Sequence, residues 1–304
     1  MIAPRMHTVV LLGLNFLSTA TVLVLLGVSL GLIFGQLGII NLAQGDFAMV
    51  GAFVMYAMRG APFLAGIAVA VVVGIGLGLL LEIGLMRRLY DRGFMPALLA
   101  TWGIGIVLRQ GADALFSSTP HSVNAPIASS TTIFGVVYPT YRLVAAAAVA
   151  ALVAALLLVA YRSSLGLRVR ASIDNLEMAS LMGISPKRMF TLVFVVATVL
   201  GVLAGSLAAP FVGITPTLGL GYLAPAFFAL LLGRPGTIGG PVLGAVLVSA
   251  LTVVLQQAFT DTVAQTFLFA SFVLLIVVRP GGVTWHLQPK LRRPPRTARA
   301  VGSA

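Results

Sequence analysis

Three polar side chains, Asn41, Gln44 and Asp46, interrupt an apolar stretch near the start of the chain, within the glycine-punctuated run Gly35 to Gly45 and its next residue. Neutral amides can hydrogen-bond a polar solute, and unwound backbone beside them adds carbonyl and N–H groups, as in the broken helices of transporters. If the segment is helical, Asn41 and Gln44 share a face and Asp46 lies off it. A second reading stands beside this one: Asn41 and Gln44 satisfy the broken backbone, and Asp46, a preferred N-cap residue, starts the following helix. On that reading Asp46→Asn is mild, because Asn caps as well as Asp.

Covalent chemistry has no comparable candidates. The chain contains no cysteine, which excludes a disulfide scaffold, a thiolate metal site and a cysteine nucleophile. His7, His121 and His286 fall in predicted ends, loops or tail, so they assemble no metal site in a span. Glu82 lies within reach of Arg87 or Arg88, and Asp113 follows Arg109 by four residues, so ion pairs account for both. No GxxxxGK[ST] phosphate loop is present. No catalytic residue, metal or cofactor is expected.

The loop 162–188 is the other segment with a task. It is basic, carrying Arg162, Arg168, Arg170, Lys187 and Arg188, and a small helix over about 175–182 has its own signals. Asp174 is placed to cap it, with Glu177 reaching back as in a capping box, and Gly183 is placed to end it. Ser185-Pro186 then reads as the cap and first turn of the next helix. Leu176, Met178, Ala179, Leu181 and Met182 are apolar residues on a solvated loop, which suits insertion into a groove on a soluble partner. The other reading is an amphipathic segment lying on the headgroups. Two acidic residues and the segment's brevity favour the partner.

These segments are positioned by a membrane bundle. The chain of 304 residues is 59% hydrophobic and 9% charged, too apolar for a soluble surface. Spans are expected at roughly 8–34, 46–58, 62–85, 94–116, 141–161, 188–210, 217–233, 241–258 and 263–279. The fold class is all-α: a polytopic transmembrane helical bundle of about eight to ten membrane segments, with 46–58 and 217–233 as broken or re-entrant helices. The net charge of +12 gathers at Arg87, Arg88 and Arg92, in the 162–188 loop and in the tail, while Ser117–Thr140 carries no charge. The positive-inside rule places the basic segments in the cytoplasm and 117–140 outside, and alternation then puts the N-terminus outside. Each basic cluster abuts a span, so lipid and not nucleic acid is the implied anionic partner. Residues 1–280 form the transmembrane domain and 281–304 a basic cytoplasmic tail. A second glycine-rich break, Gly233 to Pro241, either pairs with the first as part of a pseudo-repeat or is an inside turn at Arg234. Gly66, Gly74, Gly76 and Gly78, and the pair Gly201 and Gly205, read as helix-packing surfaces.

Three motifs in order carry a family resemblance. GLIFGQLGIINLAQGDFAMVGAF (31–53), RVRASIDNLEMASLMGISPKRM (168–189) and LLGRPGTIGGPVLGA (231–245) resemble the signatures of ABC importer permeases of the branched-chain amino-acid, LivH-like type. Gln44 stands where that signature usually has His, and Asp46 where it has Glu. The resemblance implies a permease subunit of the bacterial inner (plasma) membrane. It implies two cytoplasmic ATP-binding subunits, a second and different permease chain, and an extracytoplasmic solute-binding protein as partners. The 168–189 loop would contact the ATPase through Asp174, Leu176, Glu177, Ala179, Met182 and Gly183. The solute would be a branched-chain or related amino acid, with urea or a short amide as the alternative within the family. A secondary carrier or facilitative channel is the alternative from another class.

Overall fold

A computed structural model describes residues 3–233 and 236–278. The basic tail with His286, and Arg234 of the second break, lie outside the described residues. The chain runs α1 (Ala3–Leu37), α2 (Gln44–Ala57), α3 (Phe63–Gly84), two short 3-10 turns at Met86–Arg88 and Tyr90–Arg92, and α4 (Phe94–Phe116). A hairpin of β1 (Ser130–Ile133) and β2 (Val136–Pro139) precedes α5 (Thr140–Arg162), α6 (Ser164–Asp174) and α7 (Leu176–Leu181). Then follow α8 (Pro186–Ala208), α9 (Leu218–Leu232), α10 (Gly240–Ala258) and α11 (Asp261–Val278). Five segments within this set, in α1, α3, α5, α8 and α10, are long and apolar enough to cross a membrane. Helix α2, at 14 residues, rises only ~21 Å and does not span a bilayer.

Helix α8 is the hub, and small residues let α2 and α3 reach it. Gly66, Ala70, Gly74 and Gly78 recur every fourth residue, forming one stripe on α3. A Cβ at Gly74 would meet the Val199 backbone at 3.1 Å, and one at Gly78 the Val195 backbone at 3.0 Å. Gly76 faces open space, because two residues of helix turn it off that stripe. On the other side of α8 a Cβ at Gly205 would collide with the Ala48 carbonyl, and one at Gly51 with the Val202 carbonyl. Backbones this close allow Ser206 Oγ to donate to the Gly51 carbonyl at 3.1 Å. Leu80, Val107 and Val254 point outward, 69%, 70% and 58% exposed, as a lipid-facing surface requires.

The two ends of the bundle are defined by contacts. Tyr138 of β2 donates to the Leu14 carbonyl at 2.8 Å and bonds the Ser18 hydroxyl at 2.5 Å, so α1 begins at the end that carries 117–140. At its other end Gly35 lies against Gly236 and Ile173, beside α6. Under the charge rule above, the direction expected for α1 is from outside to inside. The α9–α10 connection sits at that inside end next to Tyr161, Arg170 and Asp174, which favours the inside-turn reading of the second break. The hairpin turns at Phe134 and Gly135, both with positive φ (48° and 82°), the signature of a type I′ turn.

Candidate functional site

The first helix interruption is real and is buried in protein. Between α1 and α2, residues 38–43 are non-helical, with Asn41 and Ala43 buried. Backbone released from a helix inside a membrane must find partners. Asn41 Oδ1 accepts from the Ala43 N–H at 3.1 Å, closing a local turn. The Leu42 N–H donates at 3.2 Å to Thr101 Oγ1 of α4, whose hydroxyl in turn reaches the Leu98 carbonyl at 2.9 Å. Thr101 was missed in the sequence, where nothing distinguishes it from other hydroxyls in apolar helices. Thr101→Val is expected to orphan the Leu42 N–H, costing about 1–3 kcal/mol. A lowered thermal midpoint for Thr101→Val, with Thr101→Ser near wild type, is the check; equal midpoints for both would remove the clamp.

Gln44 and Asn41 form one network. Asn41 Nδ2 donates to Gln44 Oε1 at 3.1 Å. Gln44 Nε2 donates to Ser29 Oγ of α1 at 2.8 Å and to the Ala197 carbonyl of α8 at 3.0 Å. Gly201 makes the room, since a Cβ there would meet Gln44 Nε2 at 2.6 Å. Both amides thus tie α1, the break, α2 and α8 together, and each amide group has a protein partner.

Asp46 is not the cap of α2. The N-cap position is Ala43, and Asp46 sits in the first helical turn, where the exposed N–H dipoles favour a carboxylate. Its two oxygens lie 2.9 and 2.7 Å from Arg109 Nη1 of α4. The expected Arg109–Asp113 pair therefore does not form. Asp46 is fully buried whereas Asp113 is half-buried near the outer end, so Asp46 has the greater need of a counter-charge. An acidic residue C-terminal to its basic partner is also the weaker helical order. Gly105 leaves space for the pair, and the guanidinium lies 5.2 Å over the Trp102 ring. At the inside end, buried Glu82 pairs with Arg87 at 3.0 Å as the sequence suggests, and accepts a bond from Thr191 of α8 at 2.9 Å.

The 162–188 loop holds two helices instead of one. Ser163 caps α6 by accepting from the Gly166 N–H at 3.0 Å, and α6 extends through Asp174. The cap of α7 is consequently Asn175, whose Oδ1 accepts from the Met178 N–H at 2.9 Å; Asp174 is the last residue of α6. Glu177 lies in the first turn of α7. Gly183 ends the helix at φ +84°, with its N–H on the Ser180 carbonyl and the Ile184 N–H on the Ala179 carbonyl, a Schellman motif. The apolar surface is narrower than expected. Ala179 is buried and Leu176 half-buried, whereas Met178, Leu181 and Met182 are 60%, 78% and 83% exposed.

A cleft of about 370 Å³, lined by both polar and apolar side chains, opens among the outer parts of α1, α5, α9, α10 and α11. Ser18, Arg142, Tyr222, Thr252, Gln256 and Gln265 supply its polar wall. The sequence signal was a four-residue spacing of Thr252 and Gln256 in an apolar helix, and an arginine at the outer start of a span. Inward of the cleft, α1, α9 and α10 close tightly. A Cβ at Gly27 would meet Ala229 and Ala245, and one at Gly31 would strike Pro241. Gly244 faces the Ala229 carbonyl, and Gly233 faces Gly240. Among the described residues no His/Asp/Glu cluster can hold a metal ion.

A helical membrane bundle with an interrupted helix in its interior, a cleft at one end and a capped helix pair at the other has the form of a solute permease. The model of the branched-chain amino acid transport system / permease component family matches residues 12–278, and the chain belongs to that family. It is similar to the high-affinity branched-chain amino acid transport system permease protein BraD of Pseudomonas aeruginosa, 26% identical over 288 residues. It is also similar to the corresponding permease protein LivH of Escherichia coli K12, 27% identical over 296 residues. Each alignment covers 88% of this chain and 93% of the relative. No solved structure matches it significantly. The chain is a multi-pass permease subunit of the inner membrane and not itself an enzyme.

Proposed function

We propose that this permease imports a branched-chain or closely related amino acid that an extracytoplasmic binding protein delivers to its outer face. Two cytoplasmic ATP-binding subunits drive the cycle, and a second, different permease chain completes the pore. The observation that carries the reading is α7: a helix capped at both ends that presents Met178, Leu181 and Met182 to the cytoplasm without burying them. Isolated six-residue helices are unstable in water, so the capping and the buried Ala179 serve to hold a surface in place. ATP binding and hydrolysis in those subunits supply the energy, which reaches the pore because the ATPase binds the outward- and inward-facing states differently.

Asn41, Gln44 and Asp46 take a bracing role in this reading. Their polar atoms are engaged by Ser29, Ala197 and Arg109, which supports a fixed support about which α1 and α2 move. Solute contacts then belong to the outer cleft. The deciding experiment reconstitutes the assembled importer with its binding protein and follows uptake of leucine, isoleucine and valine. ATP-dependent accumulation is expected. Equal flux without ATP or partners would instead establish a carrier or channel, and ATP-driven uptake of urea alone would move the solute class.

A further inference from the structure

We propose that the outer cleft is a carboxylate site in which Arg142 receives the solute's carboxyl group, an inference that rests on the amino-acid importer reading above. Arg142 lies half-buried in the first turn of α5, with its guanidinium carbon 5.7 Å from the Tyr138 ring centre and 5.4 Å from that of Phe211. Cation–π attraction to these two rings draws on the positive charge of the group and uses none of its N–H donors. Among the described residues the ion pairs are Asp46–Arg109 and Glu82–Arg87, and no described side chain gives Arg142 a carboxylate partner or a hydrogen-bond acceptor. A half-buried cation near the outer end of a span is costly without a partner, and it lies on the side that the charge rule leaves poor in cations. A bidentate carboxylate matches its five-donor fork.

The rest of the cleft fits the remainder of an amino acid. Gln256, Gln265 and Thr252 offer carbonyl and hydroxyl acceptors for an ammonium group, and Leu23 and Leu268 offer apolar wall for a branched side chain. The volume, about 370 Å³, falls in the range of small-molecule sites, roughly 300–1,000 Å³. A lipid headgroup shares the anionic chemistry. Hydroxyls and amides placed beside an apolar wall suit an amino acid with a branched side chain, and the test separates the two.

The test follows phenylglyoxal modification of Arg142 by peptide mass spectrometry, using the full chain in phosphatidylcholine nanodiscs. Saturating leucine is expected to slow modification several-fold, while leucinamide, which lacks the carboxylate, leaves it unchanged. Equal protection by both, protection by neither, or protection only on adding phosphatidylglycerol overturns the assignment. A transport arm uses the assembled importer with ATP. Arg142→Gln is expected to raise the apparent KM for leucine about tenfold, a change of 1.4 kcal/mol, and Arg142→Lys to recover part of it; unaltered KM in Arg142→Gln would also overturn the site. If wild type shows no ATP-dependent leucine uptake, the importer reading fails, and the protection assay still decides whether Arg142 binds a carboxylate.

Discussion

Replacing Leu181 and Met182 together by glutamate is expected to abolish ATP-driven uptake while leaving the chain folded. Both side chains are more than three-quarters exposed in the isolated subunit, so the fold loses nothing when they become polar. Surface changes of this kind usually shift stability by about 0.5 kcal/mol or less. Docked in a partner's groove, each would remove apolar surface from water, stabilising the complex by about 1.5–3 kcal/mol. Two such losses weaken association on the order of a hundredfold or more, before the cost of burying two carboxylates is counted. The variant should insert normally, keep its thermal midpoint and fail to co-purify with an ATPase. Normal ATPase recovery and uptake would remove α7 as the coupling element. Ala179→Glu is a different experiment, because Ala179 is buried within the loop and a carboxylate there disrupts α7 itself. A lowered midpoint should distinguish it.

Asp46→Asn is expected to be among the most damaging single substitutions in the transmembrane region. The change keeps shape but turns one of the two acceptor oxygens into an NH2 donor, and leaves the Arg109 guanidinium buried beside a neutral amide. Breaking one side of a buried ion pair costs about 3–5 kcal/mol. Asn41→Leu forfeits two hydrogen bonds of buried neutral groups, with a penalty of about 1–3 kcal/mol per orphaned partner. The structure therefore reverses the ranking that a capping role for Asp46 implies. Neutralising both partners, Asp46→Asn with Arg109→Gln, should recover much of the loss, and the double-mutant cycle should show a coupling of ~1–3 kcal/mol. Additive single effects would mean that the two groups do not depend on each other.

The bundle was legible because hydropathy and helix punctuation are local. The segment 94–116 coincides with α4, and 62–85 differs from α3 by one residue at each end. Gly183 could be recognised as a helix stop because a left-handed residue after an apolar turn needs no distant information. The cap of α7 was misplaced by one residue for a physical reason. Asp174 and Asn175 are both good caps, and the choice falls to Asn175 only because α6 extends through Asp174. The arginines of α6 looked like topology anchors and hid its helical character. Asp46 and Arg109 are separated by 63 residues, so no rule of sequence spacing could pair them. Arg142 passed unnoticed since a single cation weighs little in a charge asymmetry, and its meaning comes from the two rings and the cleft that the fold brings around it.

The glycine seam inward of the cleft has a mechanical consequence. Where Gly27, Gly31, Gly233, Gly240 and Gly244 bring α1, α9 and α10 together, the meeting surfaces are mostly bare backbone and short side chains. Interlocked leucines would have to climb over one another, and change rotamer, before their helices could move. Glycine faces need no such rotamer change to part. They hold by short-range dispersion, of which a gap of about 0.5–1 Å already forfeits a quarter to a half, while the Pro241 ring seated against Gly31 fixes their register. The seam is thus a gasket: tight against leakage when closed, and quick to lose its grip once the helices separate. A methyl group added at Gly31 or Gly244 would act as grit in it.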